Sequence, residues 1–337
     1  MKVLLYFENE NTIKQSGIGR ALKHQIEALN SANIAYTLNP KDDFDIAHIN
    51  TYFFKSKHLL KKMRKKHIPV IVHGHSSLED FANSFRCWKL VYHLWYKPNL
   101  LWFYHHADFI VAPTKYTKTL IESYNPKCNV EAVSNGVNVD EYLFNQERVD
   151  LFKKRFAITD EKVVIGVGWP FNRKGIKDFF IIASKNPKIK FIWFGSLKKI
   201  LTERNVLKAI KSRPNNVIMP GYVSGDVIKG AYHYASCLLF PSYEETEGIV
   251  VLEALASKCP LLIRDIPVYK DWLVDGFNCY KGTTNDELDI KLKQILTTDN
   301  TRIVNEGYKV AQERNLTIIG QQLKKIYQQL SKKAIHF

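Results

Sequence analysis

The sequence predicts an α/β protein made of two doubly wound, parallel-sheet domains. Two observations carry this. Short apolar runs alternate with stretches of helical spacing, the β-α-β-α order that builds a parallel sheet. The alternation also runs once, pauses in a polar segment, and restarts. A chain of 337 residues has room for two such domains.

In order, Val3-Leu4-Leu5-Tyr6-Phe7 predicts the first strand. Ile18 to Asn30 predicts a helix, with Ile18, Leu22, Ile26 and Leu29 on one face. Ile46-Ala47-His48-Ile49 is a strand, Lys55 to Lys66 a basic helix, and Val70-Ile71-Val72 and Phe109-Ile110-Val111-Ala112 are strands. Residues 141–160, polar and helical, are expected to link a first domain (1–150) to a second (151–315). The second pass predicts strands at Lys162–Val167, Lys190–Phe194, Val217–Met219, Leu238–Phe240 and Leu261–Ile263, with a helix over Ile176–Lys185. Leu316, Ile319, Leu323, Ile326 and Leu330 give residues 316–330 an amphipathic helix, and the segment 316–337 is expected to offer an apolar face to the first domain. Two such domains imply a cleft, with ligands outside the carboxyl ends of the strands.

Composition excludes several classes. Hydrophobic residues at 45% and charged residues at 24% rule out a disordered tail or a collagen. No run approaches the ~18 apolar residues of a membrane span. The start MKVLLYFENEN turns acidic without a small-residue cleavage site and reads as a buried strand rather than a signal peptide. Five scattered cysteines without a CxxC pair predict free thiols in a reducing compartment. The net charge of +16 implies an anionic partner. Residues 46–78 hold seven Lys/Arg and no acid, and residues 170–214 hold twelve against two acids, so the charge lies in patches. A nucleic-acid partner is not expected, because no zinc spacing and no aromatic-basic RNA-binding motif is present.

The strongest chemical signal is Pro241-Ser242-Tyr243-Glu244-Glu245-Thr246-Glu247-Gly248, running from a strand into a helix that carries Glu253. A helix start offers free N–H donors to phosphate or sugar oxygens. A carboxylate such as Glu253 can accept both hydroxyls of a ribose diol. The competing reading, glutamates that only complement the helix dipole, must explain why so many carboxylates crowd together. A second signal is Gly166-Val167-Gly168-Trp169-Pro170-Phe171-Asn172-Arg173-Lys174-Gly175, where Arg173 and Lys174 can clamp a diphosphate. Ser16-Gly17-Ile18-Gly19-Arg20 sits at the first strand-to-helix turn, where glycine permits close approach of a phosphate or sugar. His73-Gly74-His75 lies just past a strand end, where a polar contact to a reacting sugar belongs. The pair alone does not make a zinc site.

Taken together, Glu245-x7-Glu253, Arg173-Lys174-Gly175, Ser134-Asn135-Gly136-Val137 and Ser16-Gly17-Ile18-Gly19-Arg20 resemble the retaining GT-B glycosyltransferases of family four over nearly the whole chain. The runs SGIGRALKHQ, HINTY and HGHSSLEDFANSF most resemble bacterial diglycosyldiacylglycerol synthases. The resemblance implies the GT-B fold, two Rossmann-like domains facing a cleft. It implies transfer of glucose or galactose from a UDP-hexose to monoglucosyl-diacylglycerol, with retained anomeric configuration and no metal or other cofactor. By the same resemblance, Glu253 holds the UDP ribose. Glu245 contacts the donor hexose, and Thr246, Glu247 and Gly248 support sugar and phosphate. Arg173 and Lys174 bind the diphosphate, Gly17 approaches it, and His75 stands beside the anomeric carbon. Many members carry Arg where this chain has Trp169, so the clamp rests on Arg173 and Lys174 alone or Trp169 serves the acceptor.

Residues 81–109 hold ten aromatics, with Trp88 and Trp95 on one helix face and Trp102 continuing the spacing beyond Pro98. Beside them stand Lys61, Lys62, Arg64, Lys65 and Lys66. Aromatics at the bilayer interface and lysines near anionic lipid predict a peripheral contact with the cytoplasmic face of the cell membrane. The competing reading makes the aromatics core. A rival acceptor, a cell-wall or capsular glycan, would share the donor chemistry and need no such face.

Overall fold

The computed structural model describes residues 1–8, 17–79, 92–197, 199 and 202–334. They form two compact units, one of Met1 through Gly136 completed by residues from Arg314 onward, the other of Val137–Glu313.

The first unit holds six parallel strands: β1 (Lys2–Tyr6), β2 (Ala35–Thr37), β3 (Ile46–Ile49), β4 (Val70–His73), β5 (Phe109–Ala112) and β6 (Asn129–Ala132). Their order is β2-β1-β3-β4-β5-β6. Helices α1 (Gly17–Ser31), α2 (Phe54–Lys65), α3 (Lys97–His106) and α4 (Lys115–Ser123) connect them. Strands β3, β4 and β5 are buried at every position, as a sheet covered on both faces requires. Leu4, Ala47 and Val72 pack with Leu60, Phe103 and Tyr104 from α2 and α3.

The second unit holds β7 (Val163–Val167), β8 (Lys190–Phe194), β9 (Val217–Gly221), β10 (Cys237–Phe240), β11 (Leu261–Arg264) and β12 (Tyr280–Gly282). All are parallel, in the order β12-β11-β10-β7-β8-β9. Its helices are α5 (Gln146–Phe156), α6 (Ile176–Lys185), α7 (Arg204–Lys211), α8 (Asp226–Tyr234), α9 (Ile249–Ala256), α10 (Asn285–Thr297) and α11 (Thr301–Gln312). The chain then returns to the first unit as α12 (Leu316–Ala334). There Leu316, Ile319, Leu323, Ile326, Tyr327 and Leu330 bury against Val3, Leu5, Leu29 and Ile71. A Cβ on Gly320 would stand 2.1 Å from the Ala28 carbonyl oxygen, so α12 crosses α1 backbone to backbone.

Three expectations are corrected. The boundary falls at 136/137 rather than 150, and residues 141–160 are not a linker. Tyr142, Val149 and Phe152 are buried, and Gly230 of α8 lies so close to α5 that a Cβ would meet the Arg148 carbonyl at 1.9 Å. The polar look of this segment comes from its solvent side, while Tyr142, Val149, Phe152 and Ile158 turn inward. The tryptophan stripe is also revised. Pro98 stands in the first turn of α3, after a π turn over Tyr92–Tyr96. Trp95 and Trp102 are half-buried against the first unit's core. Trp102 stacks on His106 at 4.2 Å and carries the Lys57 ammonium 4.5 Å from its ring centre. Large rings gain most from leaving water, and the core took them. Phe54, 76% exposed, and Leu94, 72% exposed, face outward instead, with Phe53 at their edge. Trp88, Phe81, Phe85 and Ser16 lie outside the described residues.

Candidate active site

In each sheet the strand order reverses once, between β1 and β3 and between β7 and β10. Loops leaving the carboxyl ends of the strands diverge there, and such points bind ligands in open α/β sheets. The chemical residues singled out above lie after β1, β4, β7 and β10.

In the second unit, β7 leads into a 3₁₀ turn over Asn172–Lys174, closed by Gly175 at φ +70°. β10 leads into the Pro241–Gly248 loop. A Cβ on Gly175 would stand 2.2 Å from the Pro241 carbonyl oxygen, so the two loops meet main chain to main chain. This contact fixes the polar groups they carry. Lys174 Nζ lies 2.5 Å from Glu245 Oε1, and Arg173 lies 3.7 Å from it. The Ser242 hydroxyl donates to the same oxygen at 2.6 Å, and Arg173 donates to the Glu244 carbonyl at 2.7 Å. Glu245 is buried. Burial alone would raise its pKa, but Lys174, Arg173 and Ser242 outweigh burial and hold it below the ordinary carboxylate value. The loop therefore carries an ionised carboxylate ringed by two cations.

Glu253, in the second turn of α9, is almost wholly buried and accepts from the Tyr232 hydroxyl at 2.8 Å. Gly248 precedes α9 at φ +88°, and a Cβ there would stand 2.9 Å from the Tyr269 hydroxyl. Both conformation and space keep this helix start free of a side chain. Thr246 is half-buried and Glu247 buried beside it. Trp169 sets its ring edge-on to Phe171 at 5.6 Å, and the cations that reach Glu245 are Arg173 and Lys174.

Sequence reasoning missed the support of this loop. Arg264, at the end of β11, donates to the Pro241 carbonyl at 3.2 Å, and its guanidinium lies 4.1 Å from the Tyr243 ring centre. The Tyr243 hydroxyl and the Asn285 amide both donate to Asp178 Oδ1. An arginine closing the apolar run Leu261–Ile263 was the available signal.

In the first unit, Gly17 opens α1. Among the described residues nothing lies within 4 Å of where its Cβ would sit, so packing does not explain the glycine. His75 lies two residues past β4. Its Nε2 donates to Asn50 Oδ1 at 2.9 Å, and its backbone N–H donates to the Tyr52 hydroxyl at 3.1 Å. It does not act alone. The His73 ring stacks on it, with centroids 3.9 Å apart and planes 11° from parallel. His73 Nδ1 lies 3.2 Å from His48 Nε2, and His48 Nδ1 lies 2.8 Å from the Tyr327 hydroxyl. Burial pushes all three imidazoles down: His73 to about 3, His48 and His75 well below the usual range, the last two also by their neighbours' charge. His48 and Tyr52 stand in the run HINTY, but the sequence did not reveal that they meet His75. Among the described residues no group of three His, Cys, Asp or Glu side chains is placed to hold a metal ion.

Comparison with known proteins bears on the fold and the family. Residues 17–141 match the family described as Glycosyltransferase Family 4, and residues 147–310 match Glycosyl transferases group 1. The chain is 49% identical over 334 residues to the processive diacylglycerol alpha-glucosyltransferase of Acholeplasma laidlawii, covering 98% of this chain and 99% of that one. It is 26% identical over 283 residues to the alpha-galactosylglucosyldiacylglycerol synthase of Streptococcus pneumoniae, covering 79% and 73%. Among solved structures, Anabaena HepE, crystallised with UDP and glucose, superimposes with a TM-score of 0.79 at 14% identity, covering 98% and 100%. Sucrose-phosphate synthase of Thermosynechococcus elongatus gives 0.81 at 14% identity, covering 98% and 99%. These likenesses show the GT-B fold. With both halves of the chain matched and half of its residues shared with one relative, the protein belongs to the family 4 type of GT-B glycosyltransferases.

Proposed function

We propose that the protein transfers a hexose from a UDP-sugar to monoglucosyl-diacylglycerol, forming an alpha-linked diglycosyl-diacylglycerol, with retention of anomeric configuration. The observation that carries the donor half is the cluster at the β7/β10 crossover in which the buried Glu245 meets the half-buried Lys174 and Arg173. Glu253 accepts from the ribose hydroxyls. Arg173 and Lys174 bind the diphosphate, with the bare α9 start and Gly17 close to it. Glu245 accepts from hydroxyls of the hexose, and His75 is the first unit's polar contact to the reacting sugar. The lipid acceptor is supported by the Acholeplasma laidlawii relative, which by its name acts on diacylglycerol processively with glucose. That name favours glucose over galactose.

The chemistry is a front-face displacement. The bond from the anomeric carbon to the diphosphate oxygen breaks, and its electron pair leaves with UDP. The acceptor hydroxyl oxygen bonds that carbon on the same face, and its proton passes to the departing phosphate oxygen. Arg173 and Lys174 stabilise the charge that builds there, and fixed geometry supplies the remainder of the acceleration. No step requires a metal ion or other cofactor.

The acceptor is taken from the cytoplasmic leaflet by a peripheral contact. Phe54, Leu94 and Phe53 are exposed apolar side chains, and Lys61, Lys62, Arg64 and Lys65 on α2 and Lys66 just past it are exposed as well. Each cation near an anionic surface adds about 1 kcal/mol. No helix among the described residues is long and apolar enough to cross a membrane.

The test is incubation with UDP-glucose or UDP-galactose and vesicles holding diacylglycerol or monoglucosyl-diacylglycerol, followed by separation of the lipids. The expected product is alpha-linked diglucosyl-diacylglycerol. Transfer only to a soluble glycan would replace the acceptor, and binding to vesicles that ignores anionic lipid and salt would remove the electrostatic contact.

A further inference from the structure

Helix α12 brings one polar side chain into the interior of the first unit's sheet. Tyr327 is fully buried, and its hydroxyl meets His48 Nδ1 at 2.8 Å. Gln25 of α1 points its amide nitrogen at the same Nδ1 from 2.9 Å and hydrogen-bonds Tyr327 as well. We propose that Tyr327 is a positioning residue for His75, its hydroxyl setting the tautomers of the imidazole stack on which His75 rests. The proposal rests on the reading that His75 contacts the reacting sugar.

A neutral imidazole has one N–H and one lone pair, and neighbouring hydrogen bonds decide which nitrogen holds which. A ring nitrogen has a single lone pair: with the Gln25 amide donating to the Tyr327 oxygen, the Tyr327 hydroxyl gives its own proton to Nδ1 of His48, so that nitrogen accepts and the ring proton sits on Nε2. Nε2 then donates to His73 Nδ1, 3.2 Å away, which places the His73 proton on its own Nε2. Asn135 acts on His73 electrostatically, while among the described residues His73 Nε2 has no hydrogen-bond partner within bonding distance. His73 stacks nearly parallel on His75, and His75 donates its own Nε2–H to Asn50. One hydroxyl thus orders two rings in series, and the second ring is the floor under His75. A wrong tautomer at His48 would set two N–H groups, or two lone pairs, against each other at the His48–His73 contact and turn the His73 ring. The geometry of α12 serves this placement. Gly320 lets α12 cross against the Ala28 carbonyl, seven residues before Tyr327, and Gly136, at φ +70°, lies against Leu316 and Ile319. A tyrosine that only filled space would do as well as phenylalanine here, since its ring meets His48 edge-on at 5.9 Å.

The experiment uses the full-length protein labelled with ¹⁵N-histidine. Two-bond proton–nitrogen spectra read which nitrogen of each ring is protonated. Wild type is expected to hold His48 and His73 with the proton on Nε2. Tyr327→Phe keeps the ring and removes the hydroxyl. It is expected to give mixed tautomers at His48 and to lower kcat by about 10-fold, the low end for an orienting outer partner, with KM for UDP-glucose within about 2-fold of wild type. A wild-type His48 protonated on Nδ1 would overturn the proposal, even if the variant fails to fold. So would a folded Tyr327→Phe enzyme with unchanged tautomers or unchanged kcat. If wild type transferred no hexose, the donor reading would fall, while the spectra of the two proteins would still decide whether Tyr327 sets the stack.

Discussion

Lowering the pH from about 7.5 to about 5.5 leaves a solvent-exposed histidine free to take up a proton, whereas a ring sealed inside a folded core resists it. His48, His73 and His75 are of the second kind, and the titratable groups that face them are one another, Tyr327 and Tyr52. Their folded pKa values are depressed, to about 3 for His73, so the unfolded chain binds the extra protons. Stability is therefore complete above about pH 6.5 and lost as the pH falls from there toward the folded values. One unit below the unfolded pKa each ring costs about 1.4 kcal/mol, and three rings cost about 4 kcal/mol near pH 5.5. That is a large share of the roughly 5–15 kcal/mol that holds a domain folded. The assay is urea unfolding across this range, in wild type and in His48→Gln, which removes one titrating ring. The variant should lose about 1.4 kcal/mol less than wild type between the two pH values. Equal losses in the two proteins would refute the claim that the stack is buried and neutral.

Other outcomes follow from the site. Glu253→Ala should weaken UDP binding by about 10²-fold, the worth of one or two charge-assisted hydrogen bonds, with calorimetry as the readout. Glu245→Ala should lower kcat by at least about 10²-fold while changing UDP affinity much less, as the proposed contact with the donor hexose requires. Gly320→Ala should cost about 1–3 kcal/mol in chemical denaturation, since the Ala28 carbonyl 2.1 Å from the new methyl is main chain and cannot swing aside. Gly17→Ala should leave stability near wild type and raise KM for the donor, as no described atom crowds that position. Replacing Phe54 and Leu94 with serine should reduce co-sedimentation with anionic vesicles while turnover on a detergent-dispersed acceptor persists.

The buried strands were plain in the sequence because β5 and β10 are unbroken apolar runs and β3 and β8 each carry a single polar residue, as strands covered on both faces require. Strands β2, β6 and β12 were not. Ala35–Thr37 and Tyr280–Gly282 are three residues long, Asn129–Ala132 buries only Val130, and all three lie at a sheet edge. Glu245, Glu253, Arg173 and Lys174 were legible because charged groups after an apolar strand have few structural reasons to be there. Arg264 and Asp178 were not, since their meeting depends on how β11 and α6 lie together. Trp95 and Trp102 were harder to read because helical spacing gives a face but not which way it turns. The segment 141–160 misled because a helix covering a core edge has as many polar residues as a tether.

Helix α12 has one more consequence. The ribosome makes residues 137–313 before it makes the helix that seals the first sheet, so the earlier unit waits, its face around Val3, Leu5 and Ile71 uncovered, while the later one is built. During synthesis every described residue of the second unit is made before the helix that completes the first. Tyr327 emerges in that last stretch, so on the role proposed for it the imidazoles take their order only once nearly the whole polypeptide is in hand, and a prematurely released product would lack the helix that covers the first sheet.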